Sequence, residues 1–79
     1  MQILAERLKA LREGRRIYQK EMAELLGLSL RGYQCYESDE SEPKLATLIA
    51  LADYYNVSID YLVGRTDVPD FPGKGRINL

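Results

Sequence analysis

The sequence predicts an all-α fold, a compact bundle of five short helices joined by tight turns. Apolar residues recur at helical spacing along most of the chain, and no stretch of five residues alternates between apolar and polar. Residues that favour helix ends punctuate this pattern, namely Gly27, Ser29, Asn56 and Ser58. With 79 residues, of which 46% are hydrophobic and 29% charged, the chain suits one globular domain with a single small core.

The first two helices precede Gly27. We predict the first over residues 2–13, because leucines recur on one face and Gly14 follows as a stop signal. The leucines are Leu4, Leu8 and Leu11. The second helix begins near Tyr18, carries an apolar cluster and ends at Gly27. That cluster consists of Met22, Ala23, Leu25 and Leu26.

The fourth and fifth helices follow a proline and a serine. The fourth opens after Pro43 and closes near Asn56, a residue type that tolerates the left-handed conformation. Ser58 is a good N-cap for the fifth helix, which ends at Gly64. A hydrophobic staple is expected between Val57 and Leu62.

Beyond the fifth helix the composition changes. We predict a helical domain over residues 1–66 and an irregular tail over residues 67–79, either disordered or an arm in a dimer. The tail contains Pro69, Pro72, Gly73 and Gly75.

Composition also excludes several classes of protein. No apolar run approaches the roughly 20 residues that span a bilayer, and the N-terminus lacks a signal-peptide layout, so we expect a cytoplasmic protein without a membrane partner. One cysteine and no histidine exclude a disulfide framework and a structural zinc site. Carboxylates such as Asp53 and Asp60 form no recognisable catalytic group with their neighbours, so we expect neither an enzyme nor a cofactor.

The segment from Gln19 to Ser38 carries the main functional signal. Its second and third helices fit a helix-turn-helix, in which two helices cross steeply at a short turn. Ser29 is the predicted N-cap of the third helix, which runs to about Ser38. Gly27 supplies a turn conformation that a side chain would penalise, and the small Ala23 lets the third helix approach. The inward positions are Met22, Leu26, Leu28, Tyr33 and Tyr36.

A helical wheel of the third helix separates an inward face from an outward one. Tyr33 and Tyr36 point inward, and the outward set is Arg31, Gln34, Cys35 and Ser38, with Leu30 at its N-terminal shoulder. In this motif the second helix presents such a face to the major groove of DNA. Arg31 is the best candidate base reader, because a guanidinium can bind guanine O6 and N7 together. The alternative is an ordinary solvated surface.

Five separated motifs occur in a fixed order: ERLKALRE (6–13), YQKEMAELLGLS (18–29), YQCYE (33–37), the proline at 43 and LADYYNVSIDYLVGRTD (51–67). In these motifs residues 3–64 resemble the lambda-repressor-like, Cro-type helix-turn-helix family, also called XRE-type. The resemblance implies a repressor-like, sequence-specific transcriptional regulator that binds double-stranded DNA as a homodimer.

The resemblance also implies residue roles. The base-reading residues would be Leu30, Arg31, Gln34 and Cys35. The phosphate-binding residues would be Tyr18, Gln19 and Ser29. Position alone adds Arg15 and Arg16, which are preferred to Lys9 because they lie nearer the second helix, and the alternative for all three is that they keep the first helix soluble. Arg12 and Glu37 match a structural ion pair between the first helix and the end of the third.

The loop after the third helix departs from the family. Residues 37–42 contain four acids and no base, where relatives carry basic residues, so we expect this loop to repel phosphates unless it turns away. Residues 1–36 carry a net charge of +3 and residues 37–79 of −4. An alternative function is therefore a protein-interaction module whose acidic loop contacts a basic partner.

The fourth and fifth helices have more apolar residues than one inward stripe needs. Tyr54 and Tyr55 are adjacent, so a helix cannot direct both into one core. Leftover aromatic residues in so small a domain indicate a contact surface. The predicted dimer interface consists of Tyr55, Ile59, Tyr61 and Val63.

Overall fold

The computed structural model describes residues 1–69, and residues 70–79 lie outside its described part. Most of the predicted tail, with its expected role as a dimer arm, therefore falls outside the described residues. The helices within residues 1–69 are α1 (Gln2–Gly14), α2 (Gln19–Leu26), α3 (Leu30–Glu37), α4 (Leu45–Tyr55) and α5 (Ile59–Leu62). The predicted all-α bundle of five short helices is confirmed.

Three of the predicted end signals act as the sequence analysis expected. The Ser29 hydroxyl oxygen accepts a hydrogen bond from the Gly32 amide at 3.0 Å, and the Ser58 hydroxyl oxygen accepts one from the Tyr61 amide at 2.9 Å. Asn56 ends α4 in the left-handed conformation, with φ of 57°. Each serine cap satisfies an amide that the helix leaves unpaired, which stabilises a helix by about 1 kcal/mol.

The first helix ends differently from the prediction. Gly14 is the last residue of α1, but the left-handed residue that turns the chain toward α2 is Arg16, with φ of 58°. The Arg16 amide donates to the Glu13 carbonyl at 3.0 Å and the Ile17 amide to the Arg12 carbonyl at 3.2 Å. These two bonds satisfy helix-end carbonyls and hold Arg16 in its uncommon conformation.

The core lies where all five helices meet. α1 packs on α3 and α5, α2 packs on α3, and α4 packs on α5. Fully buried side chains include Leu8, Leu51 and Leu62, and burial of each contributes about 1.5–3 kcal/mol. The whole cluster consists of Leu4, Leu8, Met22, Ala23, Tyr33, Leu51, Ala52, Tyr55, Val57 and Leu62.

The end of α5 and the segment after it are held against α1. Gly64 has φ of 85°, and a Cβ atom there would lie 2.8 Å from Ile3 Cγ2, so only glycine permits this approach. Arg7 donates to the Thr66 carbonyl at 2.7 Å and to Asp67 Oδ1 at 2.8 Å. The chain is therefore fixed on α1 beyond its last helix.

Candidate DNA interface

The turn between α2 and α3 has the geometry that a helix-turn-helix requires. Gly27 has φ of 70°, and the Leu28 amide donates to the Ala23 carbonyl at 2.8 Å. Ala23 is 2% exposed, so a larger side chain at that position would collide with the core that surrounds it. The predicted roles of Gly27 and Ala23 follow directly from this packing.

This packing leaves one side of α3 exposed. Tyr33 is completely buried, whereas Leu30 is 43% exposed and the Arg31 side chain is 70% exposed. Gln34 and Cys35 are half-buried on the same helix. The four residues predicted to read bases therefore retain access to solvent, and the aromatic side of α3 faces the core.

Glu37, the last residue of α3, accepts hydrogen bonds from several side chains. Arg12 approaches it with two nitrogens, Nε at 2.7 Å from Oε2 and Nη2 at 3.1 Å from Oε1. The Tyr33 hydroxyl donates to Oε2 of the same carboxylate. The Glu37 side chain is only 4% exposed, so the predicted ion pair is present as a buried, bidentate pair that fixes α1 to the end of α3.

Burial and hydrogen bonding shift the pKa of the Glu37 carboxyl in opposite directions. Burial raises its pKa, but hydrogen bonds from Arg12, Tyr33 and Gln19 outweigh this effect and the pKa falls below its usual value of 4.5. Burial, together with the bond that it donates to Glu37, raises the pKa of Tyr33. The cluster is therefore held in one ionisation state, an anionic Glu37 and a neutral Tyr33, at neutral pH.

Gln19 connects this buried cluster to the exposed side of α3. Its Nε2 donates to Glu37 Oε1 at 3.1 Å, and its Oε1 accepts from Gln34 Nε2 at 3.1 Å. Gln19 is the first residue of α2, where backbone amides favour an anion. The amide of Gln19 is therefore oriented by Glu37 on one side and orients Gln34 on the other.

Arg31 forms a second ion pair that the sequence analysis missed. Its Nη2 lies 2.7 Å from Glu40 Oε1, and the Ser38 hydroxyl donates to Glu40 Oε2 at 2.9 Å. Asp39 has φ of 63°, which folds the chain back so that the Glu40 amide donates to the Cys35 carbonyl at 2.9 Å. The Ser38 hydrogen bond and the Arg31 charge lower the pKa of Glu40.

The remaining acids of the loop also have a partner. The ammonium group of Met1 contacts Asp39 Oδ1 and lies 2.6 Å from Glu42 Oε2. With Glu37 paired to Arg12 and Glu40 paired to Arg31, every acid between residues 37 and 42 contacts a cationic group. The loop is consequently less negative toward a ligand than its sequence indicates.

The predicted phosphate-binding residues occupy different places. Tyr18 is the N-cap residue of α2 and is 76% exposed, with its backbone amide donating to Glu21 Oε1 at 2.9 Å. Ser29 and Arg16 are exposed at the start of α3 and in the turn before α2. These residues remain accessible to a phosphate.

Arg15 contacts the end of α4, and its phosphate-binding role stays a prediction. Its Nη1 and Nη2 donate to the carbonyls of Tyr54 and Tyr55, both at 3.1 Å, and its guanidinium lies over both rings. A cation at the end of a helix satisfies carbonyls that lack partners. Arg15 therefore caps α4.

Lys9, which the sequence analysis placed behind Arg15 and Arg16, lies beside the exposed side of α3. It lines a shallow groove together with Gln19, Arg31, Gln34, Glu37 and Ser38. Lys9 lies three residues before Arg12 on α1, and residues at that spacing share a helix face. Because Arg12 was predicted to contact the end of α3, the sequence already contained a signal that Lys9 lies near the same surface.

The predicted dimer interface also needs a correction. Tyr55 is 3% exposed and belongs to the core, whereas its neighbour Tyr54 is 38% exposed. The two rings meet edge to face at 5.1 Å, which explains how adjacent tyrosines divide between core and surface. Ile59, Tyr61 and Val63 are half-buried, and the Arg7 guanidinium covers the Tyr61 ring at 4.1 Å.

Residues 1–69 offer neither a membrane-spanning helix nor a metal-binding cluster. Within this range no helix is both long enough and apolar enough to cross a membrane. The same residues contain no cluster of three or more side chains of the metal-ligating types His, Cys, Asp and Glu.

Comparison with known proteins agrees with this geometry. A family model for the helix-turn-helix matches residues 8–62. The chain is 39% identical over 74 residues to the uncharacterized HTH-type transcriptional regulator YobD of Bacillus subtilis. The matched region covers 94% of this chain and 65% of YobD. It is 42% identical over 65 residues to the HTH-type transcriptional regulator ImmR of the same organism, covering 82% of this chain and 51% of ImmR.

A third relative comes from a phage. The chain is 40% identical over 62 residues to the cryptic phage CTXphi transcriptional repressor RstR of Vibrio cholerae, which covers 78% of this chain and 55% of RstR. The chain thus spans between about half and two thirds of the length of these curated relatives. On the family match, and on the turn and core that it covers, the chain belongs to the XRE-type helix-turn-helix family with the lambda-repressor-like fold.

Proposed function

We propose that this protein is a sequence-specific, repressor-like transcriptional regulator that reads the major groove of DNA with α3. The observation that carries the proposal is the exposed side of α3, which bears Arg31 and Gln34 and projects from a correctly formed helix-turn-helix. The names of the relatives support it, because YobD and ImmR are called transcriptional regulators and RstR a transcriptional repressor.

Three of the accessible residues of α3 have chemistry that suits a base edge. Arg31 can bind guanine O6 and N7 together, and the Gln34 amide can bind adenine N6 and N7. Leu30 offers an apolar contact for a thymine methyl group, and Cys35 lies one turn further along the helix. We therefore assign base reading to these four residues.

Phosphate binding falls to residues around the start of α2 and α3. Gln19 and Tyr18 lie at the N-terminus of α2, where amides and the helix dipole favour anions, and Ser29 occupies the same position in α3. Arg16 and Lys9 add positive charge beside them. Contacts of this kind fix the register of the protein on the duplex without reading its sequence.

We further propose that the protein binds DNA as a homodimer. One recognition helix reads few base pairs, and two-fold pairing adds a second half-site about one DNA turn, ~34 Å, away. The proposed interface comprises Ile59, Tyr61 and Val63 of the fifth helix region, with the exposed Tyr54 in place of the buried Tyr55.

Sedimentation at micromolar concentration tests the dimer. We expect the wild type to sediment as a dimer and Tyr54→Glu as a monomer, because a charge in an apolar interface opposes association. Leu45→Glu is the matched control, since Leu45 is 66% exposed at the opposite end of α4 and should leave the dimer intact. A wild type that stays monomeric both free and on DNA would refute this part of the proposal.

Two finer assignments accompany the function. The cytoplasm is the compartment that we propose, because a transcriptional regulator must reach DNA there in a bacterium. Capture of a basic protein by the loop at residues 37–42 is a weaker candidate, because its acids already contact Arg12, Arg31 and the Met1 ammonium within the described chain.

Selection from a pool of random duplexes tests DNA reading directly. We expect enrichment of a two-fold symmetric site, bound with an affinity that falls steeply as salt concentration rises. Recovery of no preferred sequence, with retention independent of salt, would contradict the proposed function and favour the protein-partner candidate.

A further inference from the structure

The carboxylate of Glu40 occupies the base-reading side of α3. One oxygen, Oε1, accepts from Arg31 Nη2 at 2.7 Å and lies 3.8 Å from Cys35 Sγ. Both contacts involve side chains that we assign to base reading. A negative group therefore lies where a negatively charged duplex would have to approach.

The backbone fixes this carboxylate in place. The left-handed Asp39 reverses the chain after α3, and the amides of Glu40 and Ser41 both donate to the Cys35 carbonyl, at 2.9 Å and 3.2 Å. The Ser38 hydroxyl then holds the second carboxylate oxygen at 2.9 Å. Three hydrogen bonds that do not involve Arg31, two of them made by Glu40 and one by Ser41, thus attach this segment to the C-terminal end of α3.

We propose, on the basis of the function proposed above, that Glu40 is a specificity-determining residue that competes with DNA for Arg31. In the free protein Glu40 neutralises Arg31. A site that presents guanine replaces the lost ion pair with two hydrogen bonds to O6 and N7. A random site offers no such replacement, so Arg31 stays with Glu40 and the protein gains no phosphate contact from it.

Removal of the Glu40 charge should therefore help the preferred site more than random DNA, because only binding at the preferred site has to break the ion pair. An exposed ion pair is worth roughly two- to fivefold in an equilibrium constant. We expect Glu40→Gln to tighten binding to the preferred duplex about two- to fivefold. We expect a smaller gain on a random duplex, so the ratio of specific to random affinity should rise.

The experiment measures both affinities by fluorescence anisotropy across a salt series, using the full chain and the duplex enriched by selection. Glu40→Gln should fold normally, because the side chain is exposed and a glutamine oxygen can still accept from Ser38. Glu42→Gln is the matched control, with the same charge change in the same loop but contacting Met1 instead of Arg31. A third variant combines Glu40→Gln with Arg31→Ala.

The outcomes separate this inference from the proposed function. A higher affinity ratio in Glu40→Gln, absent in Glu42→Gln and absent when Arg31 is replaced, supports the inference. A ratio that stays at the wild-type value, that falls, or that rises equally in Glu42→Gln or in the Arg31→Ala background overturns it and leaves the proposed function intact. A wild type that binds no duplex overturns both.

Discussion

Two arginine–carboxylate pairs lie beside α3, and the surroundings of the two pairs differ completely. At the C-terminal end the Glu37 side chain is 4% exposed and receives bonds from Arg12, Tyr33 and Gln19. In the second pair the Arg31 side chain is 70% exposed and the Glu40 side chain is 50% exposed. The closest distance does not distinguish the pairs, because it is 2.7 Å in both. Burial does.

Burial decides what each pair contributes. A buried pair is costly to break because the remaining charge loses its partner in a poorly solvated site. An exposed pair is screened by water and salt and adds about 0–1 kcal/mol to stability. The Arg12–Glu37 pair therefore stabilises the fold, whereas the Arg31–Glu40 pair is weak enough for Arg31 to exchange it for a contact with a base.

Removal of the arginine from each pair should give the largest difference in the free energy of unfolding. We expect Arg12→Ala to lower the free energy of unfolding by roughly 3–5 kcal/mol, because it strands the Glu37 carboxylate in the core. Arg31→Ala should change it by less than about 0.5 kcal/mol. Urea unfolding followed by circular dichroism measures both, and similar losses in the two variants would contradict the contrast.

Acidification should also cost the protein more stability through the buried Arg12–Glu37 pair than through the exposed Arg31–Glu40 pair. The pKa of Glu37 is lowered on folding, so its stabilisation is complete above the ordinary value of 4.5 and is lost as the pH falls through the folded-state pKa. Glu37→Gln should therefore be less stable at neutral pH and lose less stability on acidification than the wild type. Glu40→Gln should depart from the wild-type curve in the same direction but by much less, because the lowered pKa of Glu40 belongs to an exposed carboxylate. Unfolding curves at several pH values give this comparison, and parallel curves for Glu37→Gln and the wild type would count against it.

We expect the smallest change in the free energy of unfolding from a substitution at Tyr55, whose ring is buried in the core. Its hydroxyl has no hydrogen-bond partner among the described residues, and burial raises its pKa to about 12. Replacing a buried, unsatisfied hydroxyl by hydrogen removes a desolvation cost. We expect Tyr55→Phe to be neutral or more stable by up to about 1 kcal/mol, whereas Tyr33→Phe should be less stable because it removes a donor to Glu37. Thermal unfolding of the two variants compares them, and a destabilised Tyr55→Phe would show that the hydroxyl has a partner.

The helices and their caps could be predicted because local chemistry determines them. Ser29 and Ser58 cap helices wherever the next turn is helical, and Gly27 relieves a strain that depends only on its own backbone. The pair of Arg12 and Glu37 was available from family resemblance. The helices and caps need no knowledge of how distant segments approach one another, and for the ion pair the resemblance supplied that knowledge.

The features that the sequence analysis missed all depend on how separate segments of the chain pack together. The position of Glu40 over Arg31 requires the left-handed turn at Asp39, a residue type that adopts this conformation only in some contexts. Arg15 could not be assigned to the end of α4 without the packing of α4 against the turn before α2. Likewise, one of two adjacent tyrosines had to be buried, but the sequence did not distinguish Tyr54 from Tyr55.

The measurement that tests the central claim most directly is the affinity of Arg31→Ala and Gln19→Ala for the selected duplex and for a random duplex. The account predicts that Arg31→Ala loses about 1–3 kcal/mol on the selected duplex and much less on the random one, because Arg31 reads a base. It predicts that Gln19→Ala weakens both duplexes by a similar factor, because Gln19 contacts a phosphate. Equal losses on both duplexes for Arg31→Ala would contradict base reading by α3.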